Sequence, residues 1–225
     1  MTRRVDAVNM CAHKHRPPDE PMPTRPYHHG NLRNALVDAA LELAREGGPD
    51  QVVLREASRR VGVSHNAAYR HFSDRDELLH EVCARCMSEL ARLIERRVAA
   101  AADGDGVEAE QARLHASGLA YVEFALSEPG WFRTAFAATE RGILGPGEGV
   151  GDSGCTPFEL LNLRLDAYAA VGGLPPDRRP LAEYAAWAAV HGIATLLTDG
   201  PLADAPPAER AALVERVLEN VERGL

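Results

Sequence analysis

At 225 residues and 45% apolar, the chain is long enough to bury a core and too apolar to be disordered throughout. It has no uncharged apolar run near the roughly 20 residues that span a bilayer, which excludes a helical membrane protein. The formal net charge of −8 excludes a uniformly basic chain, but the charge is unevenly spread. The first 80 residues hold 12 Lys and Arg against 11 Asp and Glu, with seven of the nine histidines, while the other 145 hold 13 against 22. A neutral-to-basic head on an acidic body fits a nucleic-acid-reading part joined to one that does something else. Four cysteines at irregular spacing (Cys11, Cys83, Cys86 and Cys155) do not form a secreted disulfide framework. Arg3 and Arg4 precede no apolar stretch, so no secretory leader is expected, and the cytoplasm is the expected compartment.

Residues 1–26 carry Pro17, Pro18, Pro21, Pro23 and Pro26 among scattered charges, which predicts a disordered arm. Arg3, Arg4, Lys14, Arg16 and Arg25 could attract phosphate or reach a minor groove, against the simpler reading of a solvated tail. Asn31 to Glu46 is predicted as the first helix, with Asn31 as its cap and Leu32, Leu36, Ala39, Ala40 and Leu43 as its apolar stripe. Gly47, Gly48 and Pro49 end it.

The stretch Leu54 to Phe72 organises the rest of the chain. Leu54, Ala57, Ser58 and Val61 face inward on a short helix whose other side is charged, and Gly62 can take the positive φ of a sharp turn. Ser64 is a good cap for a second helix, His65 to Phe72, made mostly of polar or small residues. A helix with so little apolar surface is poorly buried, so its outward face serves something other than the core. Helix, glycine turn and exposed polar helix describe a helix-turn-helix, in which the second helix enters the DNA major groove.

Ser73 to Ala102 is predicted as one long helix, capped by Ser73 or Asp74, with a reach of roughly 40 Å that can connect two domains. Helices are also expected over Val107 to Ser127, Phe158 to Val171, Leu181 to Thr198 and Glu209 to Arg223, with a short aromatic segment holding Trp131, Phe132 and Phe136. Gly142 to Pro157 is glycine-rich and is expected to be a mobile loop. No strand signal and no repeat stand out. The expected fold is all-α with about nine helices: an arm over 1–26, a three-helix helix-turn-helix domain over 27–80 and a larger helical domain over 81–225.

GVSHNAAYRHFSDRDELL resembles the signature of TetR/AcrR-type transcriptional regulators, in which the recognition helix ends in a Tyr-x-His-Phe step before a capped fourth helix. PYHHGNLRNALVDAALELAREGG resembles that family's arm and first helix, and WAAVHGIATLL resembles a Trp–His-Gly pattern in one branch of its C-terminal domains. The N-terminal resemblance covers roughly residues 26 to 82 and points to His65, Asn66, Ala67 and Arg70 as groove-facing residues. Asn can bond adenine in bidentate fashion, Arg favours guanine and Ala can touch a thymine methyl. Tyr69 resembles the family's phosphate-contacting tyrosine, and Ser64 and Arg75 can also position the backbone. Phe72 reads as core, and His71 as packing on the first helix ahead of a base contact. One departure is Val53, where the family has Ser or Thr; the missing cap costs about 1 kcal/mol, and no phosphate contact is carried over to it.

The resemblance implies a ligand-responsive repressor that grips a double-stranded, pseudo-palindromic operator as a homodimer built through the last two helices, where Ala185, Ala186, Ala188, Ala189, Gly192 and Ala194 allow close approach. A small-molecule pocket is expected among the middle helices, with Leu90, Tyr121, Phe124, Trp131, Phe132, Phe136, Tyr168 and Trp187 as apolar candidates and His115 and His191 as polar ones. An aromatic residue at helical spacing is core more often than ligand contact, and that reading stays open for each. Cys83 and Cys86, with His80 three residues earlier, raise a metal or thiol switch. Against it, the pattern coincides with the buried stripe and supplies too few ligands for zinc, so no metal or cofactor is expected. No catalytic residue is expected either: there is no G-x-S-x-G elbow, phosphate loop or H-E-x-x-H pair. The alternative function is a helical protein-interaction module that has lost sequence-specific DNA binding.

Overall fold

The computed structural model describes residues 32–137 and 144–224. The arm 1–26, the expected cap Asn31 and the first two residues of the glycine-rich stretch, Gly142 and Ile143, lie outside them. Among the described residues there are nine α-helices, one 3₁₀ turn and no strand. They are α1 (Leu32–Gly47), α2 (Leu54–Val61), α3 (His65–Ala68), α4 (Arg75–Ala99), α5 (Val107–Ser127), α6 (Pro129–Ala135), α7 (Pro157–Ala170), α8 (Ala182–Thr198) and α9 (Pro207–Gly224), with the 3₁₀ turn over Pro49–Gln51. No helix among the described residues is long and apolar enough to cross a membrane.

Helices α1 to α4 close around one apolar core. Leu36, Val37 and Ala40 from α1 meet Leu54 and Ala57 from α2, Ala68 from α3, and Leu78, Val82 and Cys86 from α4, with Phe72 buried at the corner between α3 and α4. A second core lies around the distal half of α4, where Leu90 and Ile94 join Phe124 and Ala125 of α5, Ile193 and Leu197 of α8, and Val214 and Leu218 of α9. Met87, Trp131 and Phe136 touch both cores, so α4 and α6 tie them together. At 25 residues, α4 runs for roughly 38 Å. A third, smaller cluster holds Leu165 and Tyr168 of α7 against Leu114, Leu174 and Ala182.

Helix ends follow local chemistry. Gly62 closes α2 in the left-handed region at φ 76°, and Ser64 caps α3 by accepting from the Ala67 N–H. Asp74, rather than Ser73, caps α4; its carboxylate accepts from Glu77 N–H at 2.7 Å, and Glu77 in turn accepts from Ser73 N–H at 2.8 Å. Helix α7 starts with a full capping box between Thr156 and Glu159. At Val53 the backbone has the extended geometry of a cap, φ −124° and ψ 124°, with no side-chain bond to supply it. Val53→Thr therefore raises stability by about 1 kcal/mol, read as a melting temperature higher by roughly 2–4 °C for a chain of this size. An unchanged midpoint would show that water already caps this helix as well as a hydroxyl does.

The segment after Ala68 departs from the sequence reading. The expected helix to Phe72 ends at Ala68, and Tyr69 to His71 form tighter turns in which Arg70 N–H bonds to Ala67 O and His71 N–H to Ala68 O. The tightening swings Phe72 inward, where it is fully buried. Arg33 of α1 holds this corner from outside: it donates to His71 O at 3.1 Å, pairs with Glu81 at 2.8 Å and lies over the Phe72 ring at 4.3 Å. Residues 144–156 are also tied down. Glu95 of α4 accepts from Asp152 N–H, Ser153 N–H and the Ser153 hydroxyl, and Arg92 reaches Asp152 at 3.1 Å.

Candidate functional site

Two regions carry the chemistry. On the first, α2, the Gly62 turn and α3 present His65, Asn66, Tyr69 and Arg70 to solvent, while Ala67 is half-buried beneath them. Tyr69 remains 47% exposed although it is aromatic, and its ring meets the edge of His65 at 4.5 Å, which orients both. The Ser64 oxygen is used by the Ala67 N–H, leaving its hydroxyl proton free to donate outward. Arg75, on the first turn of α4, donates to Pro49 O at 2.6 Å and thereby pins the 3₁₀ turn that leads into α2. His71 is half-buried, and its backbone carbonyl accepts from Arg33. Around this face, Arg59 pairs with Glu56 and Arg60 with Glu46, whereas Arg55 and Arg70 are exposed.

The second region is a cavity of about 720 Å³ walled by α4, α5, α7, α8 and α9, by Ala135 to Ala137 at the end of α6, and by Leu144 and Gly149. Of the sequence candidates, His115, Tyr121, Phe136 and Trp187 line it. His191 stands behind the wall and bonds Tyr121 Oη through Nδ1 at 2.8 Å. Trp187 Nε1–H donates to that same hydroxyl at 3.3 Å. Burial pushes the His191 pKa down, which favours its neutral ring. Burial pushes the Tyr121 hydroxyl up, so it stays protonated.

The remaining candidates do not line this cavity. Leu90 and Phe124 belong to the core around α5 and α8, and Tyr168 is buried on α7 against Leu165 and Leu174. Phe132 packs behind Tyr121 at 5.8 Å. Trp131 turns away altogether: its indole N–H donates to Leu41 O at 2.8 Å and Arg45 lies 4.0 Å over its ring. That contact docks α6 on α1, and it needs Gly130, whose missing Cβ would stand 2.3 Å from Ala44 O. Sequence reading missed His80, Phe158, Tyr184 and Glu222, all of which line the cavity. Tyr184 and Phe158 carried an aromatic signal; His80 carried only its spacing from Cys83 and Cys86, and Glu222 none, since their partners lie 68 and 107 residues away.

Cys83 and Cys86 are both free and buried. Cys83 donates its S–H to Thr134 O at 2.9 Å, and burial pushes its thiol up to about 12, while burial raises Cys86 as well. Such thiols are poor nucleophiles and poor metal ligands at neutral pH. No group of His, Cys, Asp and Glu that could hold a metal occurs among the described residues.

A capped helix-turn-helix with an exposed polar second helix, set against a helical body that encloses an apolar cavity, defines a DNA-binding protein of the helix-turn-helix class. Residues 36–82 match the model of bacterial regulatory proteins of the tetR family, and residues 114–221 match the tetracyclin repressor-like C-terminal domain. The chain belongs to the TetR family of transcriptional regulators. A protein with unknown function from Rhodococcus sp. RHA1 has the same fold at a TM-score of 0.71 and 31% identity, over 90% of this chain and 99% of that one. An uncharacterized HTH-type transcriptional regulator of Haemophilus influenzae is 49% identical over 47 residues, 20% of this chain and 23% of its own length. YobS of Bacillus subtilis, an uncharacterized HTH-type transcriptional regulator, is 27% identical over 106 residues, 47% of this chain and 52% of its own length. The chain thus spans about half or less of the length of these two curated relatives.

Proposed function

We propose that this chain is a one-component transcriptional repressor that holds a pseudo-palindromic operator as a homodimer and lets go when a small molecule enters its cavity. The observation that carries the reading is one helix serving both regions. Helix α4 begins at the Asp74 cap, directly beyond the exposed recognition corner, and contributes His80, Cys83 and Met87 to the cavity wall. A ligand that favours one setting of α4 biases the spacing of two recognition corners, and DNA affinity falls by whatever its differential binding supplies.

In this reading the head is residues 27–80, the sensing and dimerising body is 81–225, and the protein works in the cytoplasm. His65, Asn66, Ala67 and Arg70 face base edges, while Ser64, Tyr69 and Arg75 set the register on phosphate. The dimer face is the outer side of α8 and α9. Ala185 and Ala188 are exposed there, a Cβ on Gly192 would meet nothing within 4 Å, and Leu196 is 42% exposed. Repression and ligand release are typical of the family.

The test is binding of the purified protein to DNA upstream of its own and neighbouring genes, with random DNA as competitor and salt varied. The expected result is one fragment held tightly, resistant to competitor, with affinity falling linearly on a log–log salt plot. Equal, weak binding to every fragment would instead support a protein-interaction module.

A further inference from the structure

The cavity wall has a charge pattern that restricts its occupant. Among the described lining residues the ionisable groups other than tyrosine and cysteine are His80, His115 and Glu222, and there is no Lys or Arg. Glu222 of α9 is largely buried, with a side chain 12% exposed, and accepts from His115 Nδ1 at 2.6 Å and Gln111 Nε2 at 2.9 Å. His115 Nε2 also faces Glu215 at 3.1 Å, so one imidazole serves two carboxylates and this end keeps a negative excess even when His115 is protonated. On α4, His80 meets Glu148 at 3.2 Å, and the Gly145 N–H and His80 hold the Glu148 carboxyl below its ordinary range. Both imidazoles in the wall therefore already have carboxylate partners. An anionic ligand would have to displace those partners and would meet like charge, whereas a cation would be drawn in.

The rest of the wall suits a cation attached to an apolar body. Phe158 lies 5.5 Å from Tyr184 and 5.6 Å from Trp187, and Tyr121 and Phe136 continue the aromatic surface. Ring faces attract cations as well as apolar groups. His115 and Tyr121 lie six residues apart on α5, so the acidic end and the aromatic wall are offset by roughly 9 Å along the helix. We propose that the cavity binds a hydrophobic cation, with its ammonium at Glu222 and its apolar body along the aromatic wall. The assignment rests on the cavity being the small-molecule site and adds the chemical class that it takes.

The experiment is calorimetric titration of the full chain, without DNA, with three compounds that share a dodecyl body below their micelle concentrations: dodecyltrimethylammonium, dodecanol and dodecanoate. The ammonium should bind at least tenfold more tightly than the alcohol, and the carboxylate most weakly. E222Q, which keeps the shape of the side chain but turns one of its two accepting oxygens into an N–H donor, should cost the ammonium about tenfold and leave the alcohol unchanged, which also reports an intact cavity. Dodecanoate binding as well as or better than the ammonium would overturn the charge assignment while leaving a small-molecule sensor in place, as would an E222Q variant with undiminished ammonium affinity. Binding of none of the three by the wild-type chain would overturn both the cation assignment and the sensor reading.

Discussion

Tyr69→Ala combined with Arg70→Ala lowers affinity for the operator at least about a hundredfold, equivalent to roughly 2.7 kcal/mol, while the melting temperature stays within a degree or two. Both side chains stand on the exposed recognition corner, Tyr69 47% exposed and Arg70 exposed on the tight turn after α3. Neither is a core residue; Tyr69 gives up only an exposed edge contact with His65, and surface changes of this kind move stability by about 0.5 kcal/mol. In the proposed reading Arg70 makes a bidentate contact to guanine, which discriminates by roughly 1–3 kcal/mol, and Tyr69 makes a phosphate contact that sets register. The two losses should be distinguishable in the single variants. Arg70→Ala relaxes sequence preference at one operator position, whereas Tyr69→Ala weakens all sequences alike. Fluorescence anisotropy on the operator and on scrambled DNA, with circular dichroism as the folding control, reads all of this. Wild-type affinity in the double variant would remove this corner from the DNA interface.

Phe72→Ala is expected to cost roughly 3–5 kcal/mol of stability, a fall in melting temperature of roughly 6–20 °C for a chain of this length. Phe72 has no exposed surface and is the only aromatic residue of the buried core formed by α1 to α4 among the described residues. Its removal leaves a cavity that α1 and α4 cannot easily fill, because Arg33 and its Glu81 partner hold them in place over the ring. DNA affinity should fall along with stability, since Phe72 ends the turn that carries Tyr69 and Arg70. Phe72→Leu, which keeps most of the volume, should lose less than half as much. A melting temperature unchanged by the alanine substitution would mean that the corner is not anchored by this side chain.

How far each region was legible depends on whether the interaction deciding it is local. The reading head was legible because its signals lie within a few residues. Gly62 takes its positive φ for lack of a Cβ, and Ser64 reaches a backbone N–H three residues on. Helix α5 was bounded correctly at Val107 and Ser127 for the same kind of reason, with Gly106 before it and Pro129 after it. The end of α3 was not legible, because Ala68 to His71 could continue a helix on local grounds. It is the pull of Phe72 into a core shared with α1 and α4 that tightens the turn.

The cavity shows the limit more sharply. Tyr121, Phe136 and Trp187 line it, whereas Phe124, Phe132 and Trp131 do not, although all six are aromatic residues at helical spacing. Periodicity tells that a side chain leaves its own helix on the inward side, not which neighbour it then meets. For Trp131 that neighbour is Leu41, 90 residues earlier. For Glu222 and His80, neither of which the sequence marks as a cavity residue, the neighbours are His115 and Glu148. Composition, caps and the 3.6-residue period by themselves determined the all-helical class, the helix-turn-helix and the face it exposes. Only the tertiary structure decided which aromatic rings face the cavity and which face the core, and which carboxylates give that cavity its sign, because both depend on packing between helices far apart in the chain.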